Sequence, residues 1–404
     1  MKKLLIISTA FLVAFSTFAI IALSTPSSIL YLLNWGEYMD KSLIEEFEKE
    51  YNCQVVEEDV TSSEAMYQKI TSKTTSYDVA IPGDYMVHQL YDEGYLRELD
   101  VKNKEYENLN SYQTIFNDGL SSLMETYMKD SNGKEFNSYF MPYFWGAYSM
   151  IYSTKNPEVK TVLSENGFKA LWDRSLFTSQ VHIGMYDTAR WIVSSYLLSK
   201  GLDPNITSYD GSKEGDLSEE IQKDCIQTIK NVNFDEFGND SLKRNVANGS
   251  LDYCYTQLGD FFDTLYLVYS QSSGTPEINF DILVPKTTAA FFDSMVIPTT
   301  TQNYDLANKF INFMLDTDHA YQNAKEIGYS PTLKSVQEKF NTDAEAGELY
   351  YEGDEDSQSV TLKDFLSRYP YYLNPLYNTE KVYMLEPKST QYLTTCETIF
   401  NNLA

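Results

Sequence analysis

Between residues 29 and 93 short apolar runs alternate with amphipathic segments, and the links between them are only a few residues long. "ILYLLNW" (29–35) is a compact apolar run. "DKSLIEEFEKEY" then sets Leu43, Ile44, Phe47 and Tyr51 on one face at helical spacing, with Asp40 placed to cap its first turn. "CQVVEEDV" reads as a strand, "TSSEAMYQKI" as a helix opened by a Thr61-x-x-Glu64 capping box, and "YDVAIPG" as a third strand stopped by Pro82-Gly83. Asp84 is then placed to cap a helix through "YMVHQLYDEG". Strands joined this tightly through helices pair in parallel, so the segment implies a doubly wound α/β sheet. Ligands of such sheets bind beyond the carboxyl ends of the strands. Here those ends carry Trp35, Gly36 and Glu37 on the first strand and Asp84 and Tyr85 after the third, so the two tips are expected to converge.

A second unit begins near "YFMPYFWGAYSMIY" (139–152). "QVHIGMYDTARWIVSSYLLSKG" gives a strand and then a helix with Ile192, Tyr196 and Leu197 on its apolar face. "FDILVPKTTAAFFDSMVIP" (280–298) gives two strand runs around a turn, and "YDLANKFINFML" a helix burying Leu306, Phe310, Phe313 and Met314. The acidic stretch 343–358 reads as a solvated loop, since it lacks calcium-loop spacing. With 404 residues the chain has room for two or three domains.

A net charge of −27 excludes the basic footprint that nucleic acid demands and disfavours docking on anionic lipid; it favours the approach of cations. The N-terminus has Lys2 and Lys3 followed by an uncharged apolar run from Leu4 to Leu23, with small residues around Ser24. That pattern is an export signal, and the run is also long enough, at ~20 residues, to stay as a membrane anchor. Residues 1–25 are therefore expected to be a signal peptide or anchor, and the body to face outward. No Cys lies near the processing site, the first being Cys53. Cys53, Cys225, Cys254 and Cys396 have neither metal-ligand spacing nor the density of a disulfide scaffold, and are expected to be buried thiols, with bridges the alternative.

Nucleotide, zincin and nucleophile-elbow motifs are missing, and His88, His182 and His319 are scattered; His319 reads as a helix-surface residue. What recurs is an aromatic ring beside a carboxylate at a strand end: Trp35/Glu37, Asp84/Tyr85, Asp187/Trp191, and Phe291/Phe292/Asp293. Three readings are open. The rings are core and the acids helix caps; or paired acids and stacking rings serve glycoside hydrolysis; or ring faces and carboxylates together hold a cation, through cation–π attraction and charge-assisted hydrogen bonds. Four such pairs at successive strand ends favour the cation.

In order along the chain, "LYLLNWGEYMDKSLIEEFEKEY", "YDVAIPGDYMVHQLYDEGYL", "FMPYFWGAYSMIY", "FFDSMVIP" and "EIGYSPT" resemble segments of the spermidine/putrescine-binding proteins of ABC importers, from about residue 29 to 335. The resemblance implies an α/β fold of the periplasmic-binding-protein type, two lobes with mixed-parallel sheets, and a ligand cleft at a hinge crossed more than once. One lobe would comprise 29–147 plus 289–331 and the other 148–288 plus 332–404. It implies ligand contacts at Trp35, Glu37 and Tyr38; at Gly83 and Tyr85 on the next tip, beside the Asp84 that its strand-end position already nominates; at Asp293 and Phe291 on the hinge strand; and at Tyr329. A ring platform of the family aligns with Gln257, and a late polar contact with Glu386.

The chain departs from the pattern at "YDTARWIV", where family members carry two acids. Their positions read Thr188 and Trp191, leaving Asp187 adjacent. Asp187, Asp260 and Glu386 are the acids placed to compensate, and Trp191 the ring placed to replace the one missing at Gln257. The expected function is extracytoplasmic capture of a polyamine and its delivery to permease subunits, without cofactor, metal or catalysis. A binding protein for another small cation or metabolite, a cell-surface glycoside hydrolase, and a structural surface protein are the alternatives.

Overall fold

A computed structural model describes residues 28–271, 276–353 and 359–401. The expected signal or anchor segment lies outside them, as does the 354–358 part of the acidic stretch. Among the described residues no helix is long and apolar enough to cross a membrane. The strands that matter are β1 (Ile29–Trp35), β2 (Gln54–Val60), β3 (Val79–Ala80), β4 (Leu96–Arg97), β5 (Phe140–Ser153), β6 (Ile183–Tyr186), β7 (Glu236–Gly238), β8 (Tyr253–Gln257), β9 (Phe280–Leu283), β10 (Thr287–Pro298) and β11 (Ser330–Pro331).

They form one mixed sheet in the order β2-β1-β3-β10-β5-β8-β6-β7, with β4, β9 and β11 pairing off that path. β1 is parallel to β2 and to β3, as the short strand–helix–strand links require. A second parallel set, β6 with β7 and β8, stands at the other end. Between them run the two longest strands, β5 and β10, antiparallel to each other. All 14 residues of β5 are buried, which explains why "FMPYFWGAYSMIYS" shows no two-residue alternation: both of its faces are covered. Its first half pairs with β10 and its second half with β8 and β9, so a single strand links the two parallel sets.

The helix Lys41–Tyr51 starts as its sequence dictates, Asp40 accepting the Ser42 N–H at 2.8 Å. Its Leu43 and Phe47 are buried, and Phe47 meets the rings of Phe310 and Phe313, on the helix Tyr304–Met314, edge-on at 5.0 and 5.4 Å. Each such buried side chain contributes about 1.5–3 kcal/mol. The next helix, Ser63–Ser72, is capped one residue later than expected: Ser62, not Thr61, accepts the Ala65 N–H, so Glu64 falls in the first turn and no capping box forms. The helix Asp84–Asp92 is entered through Gly83, and the Asp84 side chain is used elsewhere. The described part of the acidic stretch, 343–353, is more than a loop. It contains the end of the helix Lys334–Ala346 and the strand Leu349–Tyr351, held by Phe340 and Tyr350 on the core side. The four cysteines are buried and unpaired. His319 is half-buried, its ring stacked on Phe313 at 3.8 Å.

Candidate functional site

A cavity of about 450 Å³ opens where the carboxyl ends of β1, β2 and β3 face those of β6, β7 and β8 across the two long strands. Its lining includes Trp35, Glu37, Tyr38, Asp84, Tyr85, Thr188, Trp191, Gln257, Phe291, Asp293 and Tyr329. The convergence expected of the β1 and β3 tips is therefore present, because the two strands are parallel neighbours.

The β1 tip is built with care. The Trp35 indole N–H donates to the Ile81 carbonyl at 2.8 Å, tying the ring to the end of β3. Glu37 sits at φ +54°, a left-handed conformation that costs a non-glycine residue free energy and recurs at functional sites. That turn exposes the Glu37 carboxylate to the cavity and drops Tyr38 into the core below. The Tyr38 hydroxyl donates to the Asp293 carboxylate at 2.6 Å, and its ring meets Tyr329 edge-on at 5.0 Å. Tyr143 donates to the Tyr38 carbonyl at 2.9 Å and receives the Asn323 amide at 2.7 Å, so the arrangement is braced from behind.

Asp293 reaches the cavity because β10 slips register between Asp293 and Ser294, a bulge of the kind that re-aims side chains beside sites. Burial pushes its carboxyl up to about 7, against the opposing hydrogen bond from Tyr38. Asp84 is pushed up to about 8, again chiefly by burial, with the nearby Asp293 charge adding to the effect. Its two oxygens accept the Tyr85 N–H at 2.5 Å and the Phe292 N–H at 3.1 Å, which clamps the start of its helix to β10. Neither acid has a Lys or Arg within ion-pair distance among the described residues. An unpaired buried carboxylate is costly, and a cation entering the cavity removes that cost.

The aromatic wall is continuous. Phe291 and Tyr148 stack at 5.8 Å, Tyr148 meets Trp191 at 5.1 Å, and Trp191 meets Tyr186 at 4.7 Å. Trp191 thus gives the second half of the cavity a ring, while Gln257 contributes a polar amide whose oxygen accepts the Tyr329 hydroxyl at 3.2 Å. Two glycines seat these rings. A Cβ on Gly146 would lie 2.7 Å from Phe291, and one on Gly259 would lie 2.2 Å from the Tyr329 ring.

The compensating acids lie differently. Asp260 does line the cavity, but Lys243 stands 3.9 Å from it and its oxygens already accept from Thr256, the Gln257 N–H and Tyr329. It orients Tyr329. Asp187 is exposed and outside the lining; its N–H is tied to the Gly238 carbonyl at 3.0 Å and its side chain is turned to solvent. Glu386 is outside as well. It pairs with Lys213 at 2.7 Å beside a separate small cavity that includes His88 and the backs of Asp84 and Tyr85.

Sequence reading missed Ser62, Ser63, Tyr148, Tyr186, Asn239, Asp240 and Arg244. Ser62, Tyr186 and Asn239 lie just beyond or at the carboxyl ends of β2, β6 and β7, so the rule that found Trp35 applies to them too. Nothing local marks Tyr148, whose position depends on β5 passing between the two parallel sets.

A family model described as bacterial extracellular solute-binding protein matches residues 42–348. The spermidine/putrescine-binding periplasmic protein of Escherichia coli K12 is 30% identical over 310 residues, covering 76% of this chain and 78% of that one. A putrescine/cadaverine-binding protein of Pseudomonas aeruginosa is 24% identical over 388 residues, 95% of this chain and 99% of its own length. Among solved structures, a putative spermidine/putrescine ABC transporter protein from Listeria monocytogenes superposes with a TM-score of 0.69 at 26% identity, covering 93% of this chain and 98% of that one.

Proposed function

Because the chain belongs to the bacterial extracellular solute-binding protein family, we propose that it captures a polyamine, spermidine or putrescine, in this cavity and delivers it to the permease of an ABC importer. One observation carries the reading: the Asp293 carboxyl is buried in an aromatic cavity with no Lys or Arg paired to it among the described residues. A ligand ammonium supplies the missing charge. It donates charge-assisted hydrogen bonds to Asp293 and Glu37, and the faces of Trp35, Tyr85 and Phe291 add cation–π attraction of about 0.5–2 kcal/mol each. The methylene chain then lies along the wall formed by Tyr148 and Trp191.

The two halves of the cavity are read as lobes, 29–147 plus 289–331 and 148–288 plus 332–404. A ligand that touches both biases their hinge toward the closed arrangement. The body works outside the cytoplasmic membrane, and residues 1–25 direct export or anchor it there.

The role is binding, without catalysis. A glycosidase needs two carboxyl groups flanking one scissile bond; the solute-binding relatives of this chain and the cation-seeking Asp293 support a binding site instead.

Calorimetric titration of the full chain with spermidine, putrescine and the uncharged 1,4-butanediol tests the reading. Saturable binding of either amine, with none of the diol, is expected. Equal indifference to all three overturns it.

A further inference from the structure

The cavity is electrically lopsided. Its β1/β3/β10 end holds Asp293, Asp84 and Glu37, and no protein cation pairs with any of them among the described residues. The opposite end is lined by Thr188, Asn239, Asp240, Gln257, Asp260 and Arg244. Lys243 is surrounded by acids at that end: Asp263 at 2.6 Å, Asp240 at 3.0 Å and Asp260 at 3.9 Å. Lys243 is the one cation these three acids share, so Asp240 and Asp260 reach the cavity with their charge only partly offset. Arg244, the next residue on the helix Asp240–Asn248, is exposed on the cavity lining and makes no hydrogen bond or ion pair among the described residues. Its charge is free to act on whatever the cavity holds. Arg190, buried at the start of the helix that carries Trp191, has no carboxylate partner either; its Nη2 donates to the Asn205 side-chain oxygen at 3.3 Å and the Glu386 carbonyl at 3.2 Å, and Nε and Nη1 have no acceptor.

We propose that Arg244 sets the charge selectivity of the cavity: a ligand is held by one ammonium at the Asp293 end, and at the opposite end Arg244 opposes the pull of Asp240 and Asp260 on a second ammonium. The proposal rests on the reading of the cavity as an amine site and narrows it. It assigns as preferred ligands amines whose far end is short of Arg244 or uncharged, such as a short diamine or an N-acylated amine, over a longer triamine. The reason is physical. Like charges brought together in a partly dehydrated cavity repel far more than they do in water, and repulsion is an effective way for a site to reject a near-relative of its ligand. The residues lining that end with uncharged polar groups, Thr188, Asn239 and Gln257, can accept or donate to an amide or to water without calling for a cation.

The test compares spermidine, putrescine and N-acetylputrescine, which keeps one ammonium and replaces the other by a neutral amide, on the full chain and on Arg244→Gln and Arg244→Glu. Because residue 244 is on an exposed helix face, unchanged thermal midpoints are expected for both variants. In the unsubstituted protein spermidine should bind more weakly than putrescine, and acetylation of putrescine should cost little. Affinity for spermidine relative to N-acetylputrescine should then rise stepwise from Arg to Gln to Glu, by roughly tenfold or more over the series. An affinity ratio that stays within about twofold in all three proteins overturns the assignment of Arg244 while leaving the amine site standing. Failure of the unsubstituted protein to bind any of the three amines overturns the amine reading itself, and this inference with it.

Discussion

Replacing Asp293 by Asn should make the ligand-free protein more stable and its ligand binding worse, and the two effects come from the same physical cause. Asn keeps the volume and still accepts the Tyr38 hydroxyl that Asp293 accepts at 2.6 Å, but it carries no charge. In the folded protein the carboxyl is pushed from 3.8 to about 7. Three units at about 1.4 kcal/mol each put the cost of holding it ionised near 4 kcal/mol. The sign follows from proton linkage. Below pH ~4 the group is protonated in both folded and unfolded chains, and it costs nothing. Between about 4 and 7 the unfolded chain ionises while the folded one keeps its proton, so stability falls as pH rises. Above about 7 the full penalty is present. Urea unfolding of the ligand-free protein should therefore find Asp293→Asn more stable by no more than about 1 kcal/mol at pH 4.5 and by about 2–4 kcal/mol at pH 8, part of the gain being lost to local relaxation. Affinity for spermidine or putrescine should fall by roughly 30- to 1,000-fold, the usual consequence of removing one partner of a buried charged pair. A variant destabilised equally at both pH values, or one that binds as before, would refute the assignment of Asp293 as an uncompensated ligand anchor.

Three further outcomes follow from the same geometry. Gly259→Ala places a methyl group 2.2 Å from the Tyr329 ring; displacing that ring should weaken amine binding about tenfold and cost about 1–3 kcal/mol of stability, read by titration and denaturation together. Binding should release protons at pH 6, because a ligand ammonium favours the ionised form of Asp293, which the free protein holds at about 7; affinity should then weaken by up to about tenfold per pH unit below 7, and enthalpies measured in buffers of different ionisation heat should diverge. Lys243→Ala leaves Asp260 buried without its cation and should destabilise the fold by about 3–5 kcal/mol, as measured by thermal or chemical unfolding.

Most of the architecture near the N-terminus was legible because it is local. The spacing of Leu43 and Phe47, the cap at Asp40 and the short links each follow from a few adjacent residues, and parallel pairing of β1 with β2 and β3 follows from them. The capping register at Ser62 was not, since Thr61 and Ser62 offer the same oxygen and only the path out of β2 decides between them. Asp84 shows the same limit: its oxygens go to Tyr85 and to Phe292, the second of which is 208 residues away in sequence.

The site was legible where strand ends name it, at Trp35, Glu37, Tyr85 and Asp293. Where it depends on tertiary partners it was not. Asp187, Asp260 and Glu386 are equivalent as letters, but one faces solvent, one is held beside Lys243 and one pairs with Lys213. Gly146 and Gly259 give no sign in sequence that each supports a ring of the cavity.

The central claim is that a ligand ammonium replaces the missing counter-charge of Asp293, and a crystal structure of the putrescine complex tests it most directly. The account predicts a nitrogen within about 3.2 Å of the Asp293 carboxylate, with the chain running along Phe291, Tyr148 and Trp191. Putrescine bound elsewhere on this acidic surface, or lying in the cavity with neither nitrogen near Asp293, would contradict it.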